Sequence, residues 1–365
     1  MPLFRPWSLA IQFPVPARIR RGSSYAATTQ QHVSAINTDT DSTTSTKNWH
    51  PDRYDQTVSL PDGRTLGFAE AGCPTGYPLF YFHGFPSSRL EARGLEEIGQ
   101  RHNIRIIAPE RPGYGLSSFQ PNRRITDWPT DIKFLAKHLG IERFAVLGGS
   151  GGGPYAFACA HALPRESLSA TGLLASAASW ESRYYDVPLS ARLTSWAATY
   201  FPSPLCWLMD ISLGLLRRTL DTNVGKKFLD SLIAKAAATV DKKVEATEHQ
   251  ERIEERRNRA SQVAFEAFAH GSRGVVQEAY LLTHPYGFRF EDTRSNKIHI
   301  WHGVKDVNSP IRMMRWMNDR LPNSELHEFE HETHFTIVKH LEAMVTTLIP
   351  EDEIKAYRQG TNREA

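Results

Sequence analysis

"VLGGSGGGPY", residues 146–155, sets five glycines around one serine, directly after an apolar run that reads as a buried strand. A glycine inside a regular element costs about 0.5–1 kcal/mol relative to alanine. Five together imply a backbone that needs positive φ, or an approach too close for a Cβ. Gly148-Gly149-Ser150-Gly151-Gly152 fits G-x-S-x-G, a pattern that gains its meaning between a strand and a helix. There the chain turns sharply, the serine takes a strained conformation, and Gly148 and Gly152 let strand and helix close up. The hydroxyl then stands clear above the sheet. The Gly151 N–H points into the same space, at the start of a helix whose dipole favours negative charge. A phosphate loop would instead want Lys-Ser/Thr after its last glycine, and here Pro154-Tyr155 follow.

Strand and helix signals alternate on both sides of this serine. "QTVSLPDGRTLGFAEAG" reads as two short strands around an Asp62–Gly63 turn. "PLFYFHG" is a short, wholly apolar run, as expected of a strand covered on both faces. A helical stretch from Ser88 to Arg101, the strand "IRIIAPE" and the helix "WPTDIKFLAKHLG" precede "RFAVLGG". A helix from Gly151 to His161 and the strand "LSATGLLAS" follow it. The pattern predicts an α/β fold with a mostly parallel, doubly wound sheet. It stops near Trp180, where helical segments take over until about residue 292, and resumes with "KIHIWHG", "SELHEFE" and the helix "FTIVKHLEAMVTTLI". The expected organisation is therefore a core of residues 51–179 and 293–365 interrupted by a helical cap, 180–292. The charged run Glu248–Arg259 interleaves opposite signs and reads as the solvated face of a cap helix. The apolar segment holding Trp196, Tyr200, Phe201, Trp207, Leu208 and Met209 is expected to bury the cap against the core, with part of that face lining a pocket.

Composition narrows the function classes. The 365 residues carry a net charge of +3, and that excess lies in residues 1–50, with five Lys/Arg against two Asp. The rest is neutral and has no basic stripe, which argues against nucleic acid as a partner. No apolar run reaches the roughly 18–20 residues of a membrane span; the nearest, Leu193–Met209, holds two prolines and ends at Asp210. Cys73, Cys159 and Cys206 make neither a metal spacing nor a disulfide framework, and read as small buried hydrophobes. Residues 1–38 contain four arginines and no acid. An acid-poor, Arg- and Ser-rich start reads as a mitochondrial transit peptide; the alternative is a disordered tail on a cytoplasmic protein. Pro2, Pro6, Pro14 and Pro16 weigh against the first, since they interrupt an amphipathic helix.

Five segments together resemble the α/β-hydrolase fold family, in its single-sheet subgroup with a helical cap. They are "HGFPSS", "APERPGYGLS", "GGSGGGP", "WHGVKD" and "HETHF". The resemblance covers roughly residues 55–350 and implies a nucleophile, an acid and a histidine in that chain order. Ser150 is then the nucleophile and Asp306, just past a late strand, the acid. Four histidines compete for the base. His327 falls in a strand and His340 in a helix, which leaves His334, with His331 its rival. Thr333 stands where the family usually has glycine. The oxyanion hole is expected from the backbone N–H groups of Phe85 and Gly151, with Gly84 permitting the turn beside them. His83 and His302 read as bracing residues. Glu110 replaces the family's usual Asp.

The resemblance thus implies a serine hydrolase acting through an acyl-enzyme on an ester or related carbonyl bond of a small to medium apolar substrate. No metal and no organic cofactor is implied. Relatives with the same residues act as acyltransferases, peptidases or carbon–carbon hydrolases, and a non-catalytic ligand-binding protein on this fold is a further alternative. Proline-specific peptidases typically carry "HGGPG" where this chain has "HGFPSS". Epoxide hydrolases and haloalkane dehalogenases use an aspartate nucleophile, which Ser150 does not match.

Overall fold

The computed structural model describes residues 51–364 except 185, 221, 228–230, 232–260 and 264. The N-terminal tail, 1–50, and the charged run Glu248–Arg259 lie outside the described residues.

Eight strands form one sheet in the order β1-β2-β4-β3-β5-β6-β7-β8. They are β1 Gln56–Ser59, β2 Thr65–Gly72, β3 Tyr77–Phe82, β4 Ile104–Pro109, β5 Phe144–Gly149, β6 Leu168–Leu174, β7 Ile298–Gly303 and β8 Ser324–Phe329. β2 runs antiparallel to β1 and β4, and the remaining pairs are parallel. Gly63, at φ +82°, supplies the left-handed corner between β1 and β2.

Helices α1 Glu96–Arg101, α2 Trp128–His138 and α3 Gly153–Ala162 lie between the early strands. α4 Leu189–Tyr200, α5 Pro202–Leu220 and α6 Arg273–Leu281 separate β6 from β7, where all regular structure among the described residues is helical. α7 Ile311–Asn318, α8 Leu341–Leu348 and α9 Glu351–Glu364 complete the chain. Each central strand feeds both faces of the sheet. Phe80, Phe82, Val146 and Ile300 join α2, α3 and α7 in one core layer, while Leu79, Tyr81, Leu147 and Trp301 join α8 in the other. This two-sided burial is why β3 and β5 contain only buried positions.

Some expectations need correction. The stretch Ser88–Arg101 is a 3₁₀ turn, Arg89–Leu95, followed by α1; Ser88 Oγ caps it by accepting from Leu90 N. The last apolar stretch likewise starts as a 3₁₀ turn, Thr336–His340, before α8. α6, within the stretch expected to be helical, buries a carboxylate, Glu278, beside Val275, Val276, Ala279 and Leu281. Of the cysteines only Cys159 is buried; Cys73 and Cys206 are partly exposed.

The largest correction concerns the aromatic segment of α4 and α5. Trp196, Tyr200, Phe201, Trp207 and Leu208 face outward, Tyr200 and Trp207 being 68% and 67% exposed. Only Met209 packs inward, against Tyr114, Val275 and Ala279. The buried face of α4 is its small-residue stripe, with Ser195 and Ala198, which permits close packing on α6. Among the described residues, no helix is long and apolar enough to cross a membrane.

Candidate active site

β5 ends at Gly149, and Ser150 follows at φ +48°. None of the five glycines around it has positive φ, so the left-handed corner belongs to the serine itself. The glycines answer the second requirement, close approach. A Cβ on Gly148 would lie 2.4 Å from the Gly152 carbonyl oxygen, and one on Gly152 would lie 2.1 Å from that of Phe82. Gly149 lies against the Tyr81 hydroxyl and Gly153 against Ser176. The Ser150 carbonyl accepts from Ala177 N at 2.8 Å, which ties the corner to the segment after β6.

Three distant residues converge here. His334 Nε2 lies 2.9 Å from Ser150 Oγ, and His334 Nδ1 lies 2.7 Å from Asp306 Oδ2. An ionised carboxylate only accepts, so Nδ1 carries the proton and Nε2 presents its lone pair to the serine hydroxyl. The other Asp306 oxygen, Oδ1, accepts from Asn308 N at 2.8 Å and Ser309 N at 2.9 Å. His302 Nε2 donates to the Ser309 carbonyl at 2.7 Å and lies 3.3 Å from Asp306 Oδ2. Burial by itself would raise the Asp306 carboxyl. Hydrogen bonds from His302 and His334 outweigh it and hold the group well below the usual carboxylate range.

The rival His331 is exposed, and it is His334 that reaches Ser150. Thr333 has no positive φ and so needs no glycine. Its N–H donates to Thr336 Oγ1 at 2.9 Å while its hydroxyl accepts from Thr336 N at 3.2 Å. This reciprocal cap starts the turn that carries His334.

The loop after β3 is pinned from several directions. Gly84 N donates to the Glu91 carboxylate at 3.1 Å, and Arg111 donates to the carbonyls of His83 at 2.6 Å and Gly84 at 2.8 Å. His83 Nδ1 donates to the Gly84 carbonyl at 2.9 Å. Burial, and then the Arg111 charge, push the His83 pKa well down, so the ring is neutral and braces the loop. Gly84 is not at positive φ, and a Cβ there would be tight only against the Glu91 carboxylate, at 3.3 Å, so neither conformation nor space demands glycine. Among the described residues the Phe85 N–H has no acceptor. A Cβ on Gly151 would lie 3.2 Å from that nitrogen, so the chain just after Ser150 passes close to Phe85. Arg111 and Glu91 were not singled out from sequence. "ERPGYG" contains the arginine, but its two carbonyl acceptors lie on another loop.

Glu110 is fully buried on Arg89 and accepts from Leu116 N at 2.6 Å. Burial raises its pKa, with Arg89 opposing. It holds a loop, away from Ser150.

A cavity of about 320 Å³ opens beside Phe85 on one side and Asn308–Ser309 on the other. Ala177, Ala178, Ala191 and Ala279 leave its space, and Trp180, Leu282 and Met313 give it apolar walls. Ser195 Oγ and Thr283 Oγ1 also line it, but bond each other at 2.8 Å. A second cavity, about 370 Å³, lies by Lys133, Gly140 and Leu163 and shares no residue with this site.

Comparison with known proteins gives the same fold. A family model described as alpha/beta hydrolase fold matches residues 77–341. An uncharacterized hydrolase of Saccharomyces cerevisiae is 32% identical over 111 residues, 29% of this chain and 37% of that protein. A proline iminopeptidase of Xanthomonas citri is 32% identical over 108 residues, 28% of this chain and 34% of that protein. The chain thus spans little more than a third of the length of these curated relatives. The structure of an esterase, RhEst1, from Rhodococcus sp. superposes with a TM-score of 0.53 at 16% identity, covering 82% of this chain and 98% of the esterase.

Proposed function

The chain belongs to the alpha/beta hydrolase fold family, and within it we propose a serine hydrolase that cleaves esters of small to medium apolar acids through an acyl-enzyme. The observation that carries the reading is the position of His334, 2.9 Å from Ser150 Oγ and 2.7 Å from Asp306. His334 Nε2 takes the hydroxyl proton as Oγ attacks the carbonyl carbon. The imidazolium so formed is stabilised by the ionised Asp306, which also fixes the tautomer. The N–H groups of Phe85 and Gly151 receive the oxyanion, and His334 returns the proton to the leaving alcohol. Water, activated by the same ring, then releases the acid. The apolar cavity takes the acyl group and excludes water, which strengthens each dipole aimed at the reacting carbonyl.

A fluorophosphonate probe and a panel of p-nitrophenyl esters of increasing chain length test this. The wild type is expected to label at one site and Ser150→Ala to lose both labelling and about 10⁴-fold or more of turnover. Equal labelling of the variant sinks the proposal. The acid-free N-terminal stretch further supports a mitochondrial import signal. A shortened mature N-terminus in the organelle fraction is expected, and an intact Met1 in a cytosolic fraction overturns it.

A further inference from the structure

We propose that His299, Glu325 and His327 form a binding site for a divalent transition-metal ion of the zinc class, apart from the Ser150 site. β7 and β8 are parallel neighbours whose register sets His299 against Glu325 and Trp301 against His327. Side chains two apart on a strand share a face, so His299, Glu325 and His327 project together from one side of the sheet. Each offers one ligand atom, and these atoms all lie within 4.8 Å of one another.

The spacing suits a small cation. His299 Nδ1 and His327 Nε2 are hydrogen-bonded at 3.3 Å, so a metal would take the place of the proton they share. Two imidazole nitrogens bound to tetrahedral zinc at about 2.0–2.1 Å are separated by about 3.3–3.4 Å. Glu325 Oε2 lies 3.9 Å from the first nitrogen and 3.8 Å from the second, so the carboxylate must close by about half an ångström. It is free to do so: it is half-exposed, and its present partner, Lys297, is exposed. Glu325 thus already holds a cation, and a metal would take over the place of the ammonium.

Ring orientation is set in advance. His299, Trp301 and His327 stack nearly parallel, with interplanar angles of 10°, 11° and 15°. Trp301 is buried in the core and fixes the plane of both imidazoles. Two imidazoles and one carboxylate, with the outer side open to water, form the three-ligand set that leaves a fourth position for solvent. The cluster lies within β7 and β8, at His299, Glu325 and His327, whereas Asp306 and His334 follow the ends of the same strands. A bound ion would therefore clamp the edge strand β8 to β7 without touching the reacting groups.

Calorimetry with ZnCl₂ at pH 7.5 tests the site, together with Co²⁺ titration read by visible absorption. One equivalent of Zn²⁺ is expected, Co²⁺ should give the intense bands of four-coordinate geometry, and Zn²⁺ should raise Tm. His299→Phe keeps a ring stacked on Trp301 but removes a ligand. It is expected to weaken binding by at least about 10-fold and leave ester turnover within about 2-fold. Glu325→Gln should weaken binding in the same sense. Unchanged affinity in a folded His299→Phe protein overturns the proposal, and so does loss of binding in His334→Ala. Absence of stoichiometric binding at about 100-micromolar zinc does the same.

Discussion

Glu278, on a helix inserted between β6 and β7, meets Arg111, from the loop after β4, at 2.7 Å, and neither side chain reaches solvent. Its other oxygen accepts from Arg123 at 2.8 Å. Arg111 at the same time holds the carbonyls of His83 and Gly84. One carboxylate therefore couples the helical insertion to the loop that presents the Phe85 N–H. Glu278→Ala leaves two buried guanidinium groups without their counter-charge, and a loss of about 3–5 kcal/mol is expected by urea denaturation.

Arg111→Lys separates positioning from charge. The ammonium still balances Glu278 but cannot reach two carbonyls with a planar fork. Turnover is expected to fall about 10- to 100-fold with little change in KM, because the displaced N–H acts on the transition state. A rise in KM at unchanged kcat would contradict this assignment.

Asp306→Asn should lower kcat by about 10⁴-fold while the protein stays folded. Asp306 is also linked to stability. Its folded pKa lies below the unfolded value of about 3.9. Its contribution is therefore complete above pH of about 4 and is lost as pH falls through the folded value. The stability gap between wild type and variant should be constant near neutrality and shrink in acid.

Two glycine substitutions should differ sharply. Gly152→Ala drives a Cβ to 2.1 Å from a backbone oxygen, which no side-chain motion relieves, and is expected to yield little folded protein. Gly94→Ala meets nothing within 4 Å and has no positive φ. Its Tm should be unchanged or rise by a few degrees.

The cavity makes a prediction about substrate size. Ala191 lies on its wall, on α4. Ala191→Phe should cut rates on long-chain p-nitrophenyl esters by about 10-fold or more and spare acetate esters. Equal loss on all chain lengths would place the acyl group elsewhere.

The elbow was legible in sequence because its meaning is local: strand, five glycines, serine and helix are contiguous. The choice of His334 over His331 followed from its place between β8 and the next helix, and of the two it is His334 that lies 2.9 Å from Ser150 Oγ. The bracing of the loop after β3 was not legible, since Arg111, Glu91 and Glu278 lie in separate segments whose meeting depends on the packed fold. The aromatic residues of α4 and α5 were misassigned for a related reason. Helical spacing says which residues share a face, not which face a neighbour covers, and here small residues made the contact.

The backbone at Ser150 has one more implication. A residue at φ +48° outside glycine is held there against its own preference. Ser150→Gly would relax that corner but would also give up the Oγ contact with His334 and free the unfolded chain. The kink therefore sets two opposing terms of similar size against each other at one residue.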